Sequence, residues 1–130
     1  MSNTKEITLR QAVSAAGALA SISAFRLPLE KSFKIFTMQN NLKTRVDFCV
    51  AEERKIIEEH GGKIKTDGGI IFEGDDKETR AQECFQDLEK LHYMIIGLEV
   101  SPVELKLSDY PEISISPEDI RALVGIVDFE

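Results

Sequence analysis

Residues 35–98 read IFTMQNNLKTRVDFCVAEERKIIEEHGGKIKTDGGIIFEGDDKETRAQECFQDLEKLHYMIIGL, and this stretch decides the fold. On both sides of its glycine-rich centre, apolar residues recur at intervals of three and four, which places them on one face of a helix. The two stripes are Ile35, Met38, Leu42, Val46, Cys49 and Ile56, with Glu53 at the one missing step, and Ala81, Cys84, Leu88, Leu91, Ile95 and Leu98. Two such helices joined by a short segment predict an antiparallel hairpin.

The segment between the two helices predicts a small β-ribbon over residues 63–73, because Asp67-Gly68 is a strong turn signal between two short apolar runs. The complete prediction is a mainly α protein with a small β element: a long-helix hairpin with a β-ribbon at its tip, braced by N- and C-terminal helices. We take residues 1–130 as a single domain. The predicted elements are helices over 8–24, 29–60, 77–98 and 117–127, and a strand over 103–107 that is a candidate third strand for the ribbon.

The two terminal helices have clear local start signals. Thr8 and Gln11 form a capping-box pattern, and Ser116-Pro117 supplies an N-cap serine followed by proline at the first helical position. Residues 1–7 are polar and are expected to fray. The predicted buried faces are Leu9, Ala12, Val13, Ala16, Leu19 and either Ile22 or Ser23 in the first helix, and Ile120, Leu123, Val124 and Val127 in the last.

The charge of the chain limits its partners. With 23 acidic and 16 basic residues the formal net charge is −7, which disfavours direct binding to the phosphate backbone of nucleic acids. The apolar run over residues 12–25 is interrupted by serines and is too short to span a bilayer, so we expect no membrane segment.

The side chains that carry chemistry do not form a recognisable catalytic pattern. Cys49 and Cys84 are interpreted as buried reduced thiols, with a disulfide or a shared metal as the alternatives, because the hairpin places them at a similar level. His60 is interpreted as a helix-end residue and His92 as a surface or boundary residue. We therefore expect a protein that is not an enzyme, with no cofactor and no metal site.

Interaction features are more informative than catalytic ones. Several large apolar residues lie off the hairpin seam, and they either pack under the terminal helices or form a surface for a partner. The candidate interaction residues are Phe33, Phe36, Phe48, Ile70, Phe72 and Tyr93.

Four segments of the sequence together resemble a family of small tailed-phage and prophage proteins of unknown function. They are the opening TLRQAV, LPLEKSFKIF, AEERKIIEEHGGK and the closing LSDYPEISISPEDIRALVGIVDF. The resemblance implies a phage-encoded protein in the host bacterial cytoplasm or in the virion, and it supplies no catalytic residues.

We expect a non-catalytic protein–protein interaction protein, an assembly or accessory factor whose partner is a host or phage protein or a second copy of the chain. The alternative is an acidic inhibitor of a host defence or DNA-binding protein, in which the negative surface imitates DNA.

Overall fold

The structure, a computed structural model, describes residues 3–130, with Asn3 described by its backbone alone. Helix makes up 56% of the residues that the structure describes, so the protein is mainly α as predicted. The helices are α1 Leu9–Ser23, α2 Leu29–Glu59, α3 Lys77–His92 and α4 Pro117–Ala122. The strands are β1 Asn3–Thr8, β2 Lys63–Ile64, β3 Ile70–Ile71, β4 Ile95–Val100, β5 Val103–Leu105 and β6 Val127–Phe129. Within the described residues, no helix is both long and apolar enough to cross a membrane.

Contacts divide the chain, taken above as one domain, into two compact units. Unit 1 comprises residues 1–46 and 95–130, and unit 2 comprises residues 47–94. The boundary falls within α2, so this helix contributes its first eighteen residues to unit 1 and the remainder to unit 2.

Helix α1 begins as the sequence predicts. The Thr8 hydroxyl accepts a hydrogen bond from the Gln11 amide (3.1 Å), and the Gln11 side chain accepts one from the Thr8 amide (2.8 Å). Half of the buried face is alanine, which allows close approach of neighbouring elements. Its residues are Leu9, Ala12, Ala15, Ala18, Leu19 and Ile22. Val13 was predicted to lie on this face, but it is exposed. The buried face includes Ala15 and Ala18, which lie on a different side of the helix from Val13.

The second long helix is shorter than predicted, because residues 93–98 do not continue it. Helix α3 ends at His92, and β4 pairs antiparallel with β1, Asn3 opposite Val100 and Thr8 opposite Ile95. Burial alternates along β4, with Leu98 and Val100 buried and Gly97 and Glu99 exposed. The β-branched residues of this segment suit a strand, and β1 supplies the hydrogen-bonding partner. The expectation that residues 1–7 fray is therefore wrong from Asn3 onward.

The C-terminal segment also differs from its prediction. Helix α4 starts with the predicted cap, in which the Ser116 hydroxyl accepts from the Asp119 amide (3.1 Å), but it ends at Ala122 rather than at 127. Gly125 (φ +81°) then turns the chain into β6. Leu123 and Val127 are buried as predicted. Ile120, within α4, is exposed, and Val124 is exposed because it lies beyond the end of the helix.

Strand β5 pairs in parallel with β6, Val103 opposite Val127, and not with the β-ribbon as the sequence suggested. The strand is also shorter than residues 103–107, since a 3₁₀ turn begins at Leu107. The core of unit 1 gathers the buried faces of α1, the first part of α2, β4, β5 and the C-terminal segment. Its fully enclosed side chains include Leu19, Ile22, Ile35, Leu42, Leu98, Leu105 and Leu123.

Unit 2 contains the end of α2, the β-ribbon and α3. The amide of Gly62 bonds to the carbonyl of Ile57 (2.8 Å) and that of Gly61 to Glu58 (3.0 Å), and Gly61 has φ +76°. This Schellman arrangement ends α2 where the two glycines predict it. Beyond it, Lys63 pairs with Ile71 and Ile64 with Ile70, which confirms the predicted ribbon. A small core of Ile57, Cys84 and Leu88 is covered by Ile56, Ile70 and Phe72.

Candidate functional site

An exposed apolar strip lies on the first half of α2, within unit 1. Leu29, Phe33 and Phe36 follow one another at spacings of four and three residues, so they share one face of the helix. Their exposed fractions are 86%, 65% and 56%. Ile35, Met38 and Leu42 are buried on another side of the same helix, so the strip faces away from the core. We call these three residues the α2 strip.

The α2 strip borders a cleft of about 400 Å³ on unit 1. Phe33 lines it together with Met38, Asn41 and Glu99. The aromatic ring and the partly polar walls make this a concave site that an apolar side chain of another molecule can enter. Leu29 was absent from the sequence-based interaction residues; its spacing from Phe33 and Phe36 was the available signal.

The other predicted interaction residues lie in different surroundings in unit 2. Phe48 and Tyr93 are exposed, on α2 and at the end of α3 respectively. Ile70 and Phe72 are half-buried against the small core, and the Phe72 ring contacts Phe85 edge-to-face with centroids 6.4 Å apart. Much of the surface of Ile70 and Phe72 is therefore buried against other residues of unit 2.

A network around Arg80 connects the end of α2, the segment after the ribbon and the start of α3. Its guanidinium donates to the carbonyl of His60 (3.2 Å), to the carbonyl of Glu73 and to the Asp76 carboxylate (3.0 Å). His60 in turn lies 2.8 Å from the Asp87 carboxylate. His60 thus ends α2, as predicted, and also contacts α3.

Replacing Arg80 by methionine is expected to lower the free energy of unfolding by about 1–2 kcal/mol, because three charge-assisted hydrogen bonds are lost at partly exposed positions. Urea denaturation followed by circular dichroism measures the change. Lys77→Met, which removes an exposed charge one turn away, is the matched control and is expected to change stability by less than about 0.5 kcal/mol. Equal effects of the two substitutions would contradict the structural role of Arg80.

The two cysteines are free and buried, but the helices do not bring them level. Glu53 lies beside His92 and His60 beside Asp87, so α3 runs antiparallel to α2. Cys84 clusters with Ile57, which is eight residues, or about 12 Å along the helix axis, from Cys49. The sequence placed the two thiols at a similar height because it centred the hairpin on Asp67.

Cys49 instead has a carboxylate and an imidazole beside it. Its Sγ donates a hydrogen bond to Oε1 of Glu53 (3.3 Å), and Nε2 of His92 lies 3.8 Å from Oε2 of Glu53. One ligand atom from each of the three residues lies within 4.8 Å of the other two, and residues 3–130 contain no other such group of three. His92 is distant from Cys49 in the sequence and approaches it from the end of α3.

Burial, together with the hydrogen bond to Glu53 and the negative charge of Glu53, raises the pKa of the Cys49 thiol from 9.0 to about 11, and burial is the largest of the three causes. Burial, with a smaller effect of the Asp87 charge, also raises the pKa of Cys84. A nucleophilic cysteine requires a lowered pKa and an accessible sulfur, so neither thiol has the properties of a catalytic nucleophile in this form of the protein.

The acidity of the chain is concentrated in unit 2. Residues 47–94 contain 13 acidic and 7 basic side chains, a formal charge of −6, whereas the rest of the chain contains 10 and 9, a formal charge of −1. Any electrostatic attraction between this protein and a basic molecule or a cation is therefore directed mainly towards unit 2.

Comparisons with known protein families, with curated proteins and with solved structures find no match to this chain. The phage resemblance thus stays a prediction, and the functional argument depends on the geometry described above.

Proposed function

We propose that this chain is a non-catalytic protein–protein interaction protein, a phage-encoded assembly or accessory factor, and that the α2 strip is its contact surface. The observation that carries the proposal is the exposure of Leu29, Phe33 and Phe36 on one helical face. Aligned apolar side chains on a helix are the usual anchors of helix-mediated binding. The proposal includes the finer predicted architecture, a hairpin with a ribbon tip braced by the terminal helices.

We commit to a second copy of the chain as the occupant of the α2 strip. Suppose that the two helices pair antiparallel, with Leu29 of one copy opposite Phe36 of the other. Residue 30 then lies opposite residue 35 of the second copy, so Glu30 is only one residue, about 1.5 Å along the helix axis, from Lys34 of that copy. The two charges currently form an exposed pair 3.8 Å apart within one helix. The flanks of the strip thus carry complementary charges in the register that pairs the apolar residues, as a two-fold interface requires.

Analytical ultracentrifugation tests this proposal. The chain is expected to associate as its concentration rises, and Phe33→Glu is expected to keep it monomeric, because the substitution places a charge at the centre of the strip. Val50→Glu is the matched control, since Val50 is also exposed on α2 but lies outside the strip, and it is expected to associate like the natural chain. A monomer at all concentrations would overturn self-association, and association that survives Phe33→Glu would overturn the α2 strip as the contact surface.

The second candidate function, an acidic inhibitor of a basic host protein, is favoured by the charge of −6 on unit 2. The two functions differ in their salt dependence. Binding through the α2 strip is expected to change little with ionic strength, whereas binding of a basic DNA-binding domain to unit 2 is expected to weaken steeply as salt screens the charges.

A further inference from the structure

We propose that Cys49, Glu53 and His92 form a binding site for Zn²⁺. The three side chains supply a sulfur, a carboxylate oxygen and an imidazole nitrogen, which are the donor types that Zn²⁺ takes in proteins. They come from two helices of unit 2, with Cys49 and Glu53 one turn apart on α2 and His92 at the end of α3. This inference is independent of the α2 strip.

The donor atoms lie within reach of one tetrahedral ion. Zinc–ligand bonds of about 2.0–2.3 Å place neighbouring ligands of a tetrahedron about 3.3–3.8 Å apart. The sulfur of Cys49 lies 3.3 Å from one oxygen of Glu53, and the nitrogen of His92 lies 3.8 Å from the other. With the whole group within 4.8 Å, small side-chain rotations bring the three donors to one ion.

Burial and charge define the kind of site. Cys49 is buried, whereas about a third of each of the Glu53 and His92 side chains is exposed, so the fourth ligand position faces solvent and takes water. A thiolate and a carboxylate together balance the charge of the divalent ion, and the negative charge of unit 2 attracts it. The thiolate and imidazole donors favour Zn²⁺ over Mg²⁺ and Ca²⁺, which prefer sites made of oxygen.

Metal binding would replace the hydrogen bond between Cys49 and Glu53 by two bonds to the ion. The hydrogen bond from the thiol to the carboxylate occupies both groups in the metal-free protein. On binding, the thiol proton leaves to solvent and both groups ligate the ion, so the ion would join α2 to α3 at a point away from the small core of unit 2.

Titration of the chelator-treated full chain with Co²⁺, a spectroscopic substitute for Zn²⁺, tests the site. The expected result is one ion per chain, a thiolate-to-cobalt charge-transfer band, the ligand-field bands of tetrahedral Co²⁺, and loss of both on adding Zn²⁺. Cys49→Ser is expected to remove the charge-transfer band. Glu53→Gln and His92→Gln, at partly exposed positions, are expected to weaken binding on the order of tenfold or more.

Two variants are the matched controls. Cys84→Ala removes the other buried thiol and His60→Gln the other histidine, and both are expected to bind Co²⁺ like the natural chain. If Cys49→Ser does not fold, the partly exposed variants Glu53→Gln and His92→Gln still decide the question. Absence of the charge-transfer band in the natural chain, or a band that persists with undiminished affinity in both of these variants, would overturn the proposal.

Discussion

Replacing Leu98 by alanine is expected to lower the free energy of unfolding by about 2–5 kcal/mol, because a large side chain is removed from a fully enclosed position. Leu98 lies on the buried face of β4, among the core residues of unit 1, with an exposed fraction of 0%. Urea denaturation followed by far-UV circular dichroism measures the loss.

Ile95→Ala is the matched comparison for this prediction. A helix that continued to residue 98 would bury Ile95 and Leu98 on the same stripe and make both substitutions costly. In the structure Ile95 is the first residue of β4 and is 59% exposed, so its truncation to alanine is expected to change the free energy of unfolding by about 0.5 kcal/mol or less. Similar losses for the two variants would contradict the strand.

The features that the sequence predicted correctly are those that depend on neighbouring residues. The Thr8–Gln11 capping box, the Ser116 cap and the glycine termination of α2 each act within one helical turn, so the residues that cause them stand side by side in the sequence. The ribbon around Asp67-Gly68 is equally local.

Strand β4 was missed because its cause is distant in the sequence. Leu91, Ile95 and Leu98 follow one another at four and three residues, which satisfies a helical stripe, and only the pairing with β1, some ninety residues earlier, selects the extended form. Residues 3–8 are mostly polar, and nothing in their composition marks them as the partner of that strand.

The three-residue cluster required the register between two helices. The pair Cys49 and Glu53, one turn apart, is visible in the sequence, but His92 joins it only because α3 is displaced relative to α2 from a hairpin centred on Asp67. Phe33 and Phe36 of the α2 strip could be recognised in the sequence as apolar residues off the core stripe, but the sequence could not decide whether they are buried or exposed.

The thiols of the metal-free chain are expected to resist alkylation, because burial raises the pKa of both. A rise in pKa from 9.0 to about 11 makes the thiolate fraction of Cys49 about a hundredfold smaller at any pH well below both values. Burial limits access to the sulfur in addition. Iodoacetamide labelling in the presence of a chelator, with the modified cysteine identified by mass spectrometry, measures the rate at each site as a function of pH.

The same pKa shift has a consequence for stability. Because Cys49 holds its proton more tightly in the folded than in the unfolded chain, its contribution is fully present below pH 9.0 and is lost as the pH rises to about 11. The expected loss is about 2–3 kcal/mol over this window. Cys49→Ala is expected to flatten the pH dependence of stability there, and an unchanged slope would contradict the burial of an ionisable thiol.

Substitutions of the neighbouring carboxylates separate the causes at the two thiols. Glu53→Gln removes the negative charge beside Cys49, so the pKa of Cys49 is expected to fall towards its ordinary value while that of Cys84 stays raised. Asp87→Asn is expected to lower the pKa of Cys84 alone, because the Asp87 charge acts on that thiol. Since burial remains the larger cause at both sites, neither substitution is expected to restore the labelling rate of an unfolded thiol; a full restoration by Glu53→Gln would show that the carboxylate, and not burial, keeps Cys49 protonated.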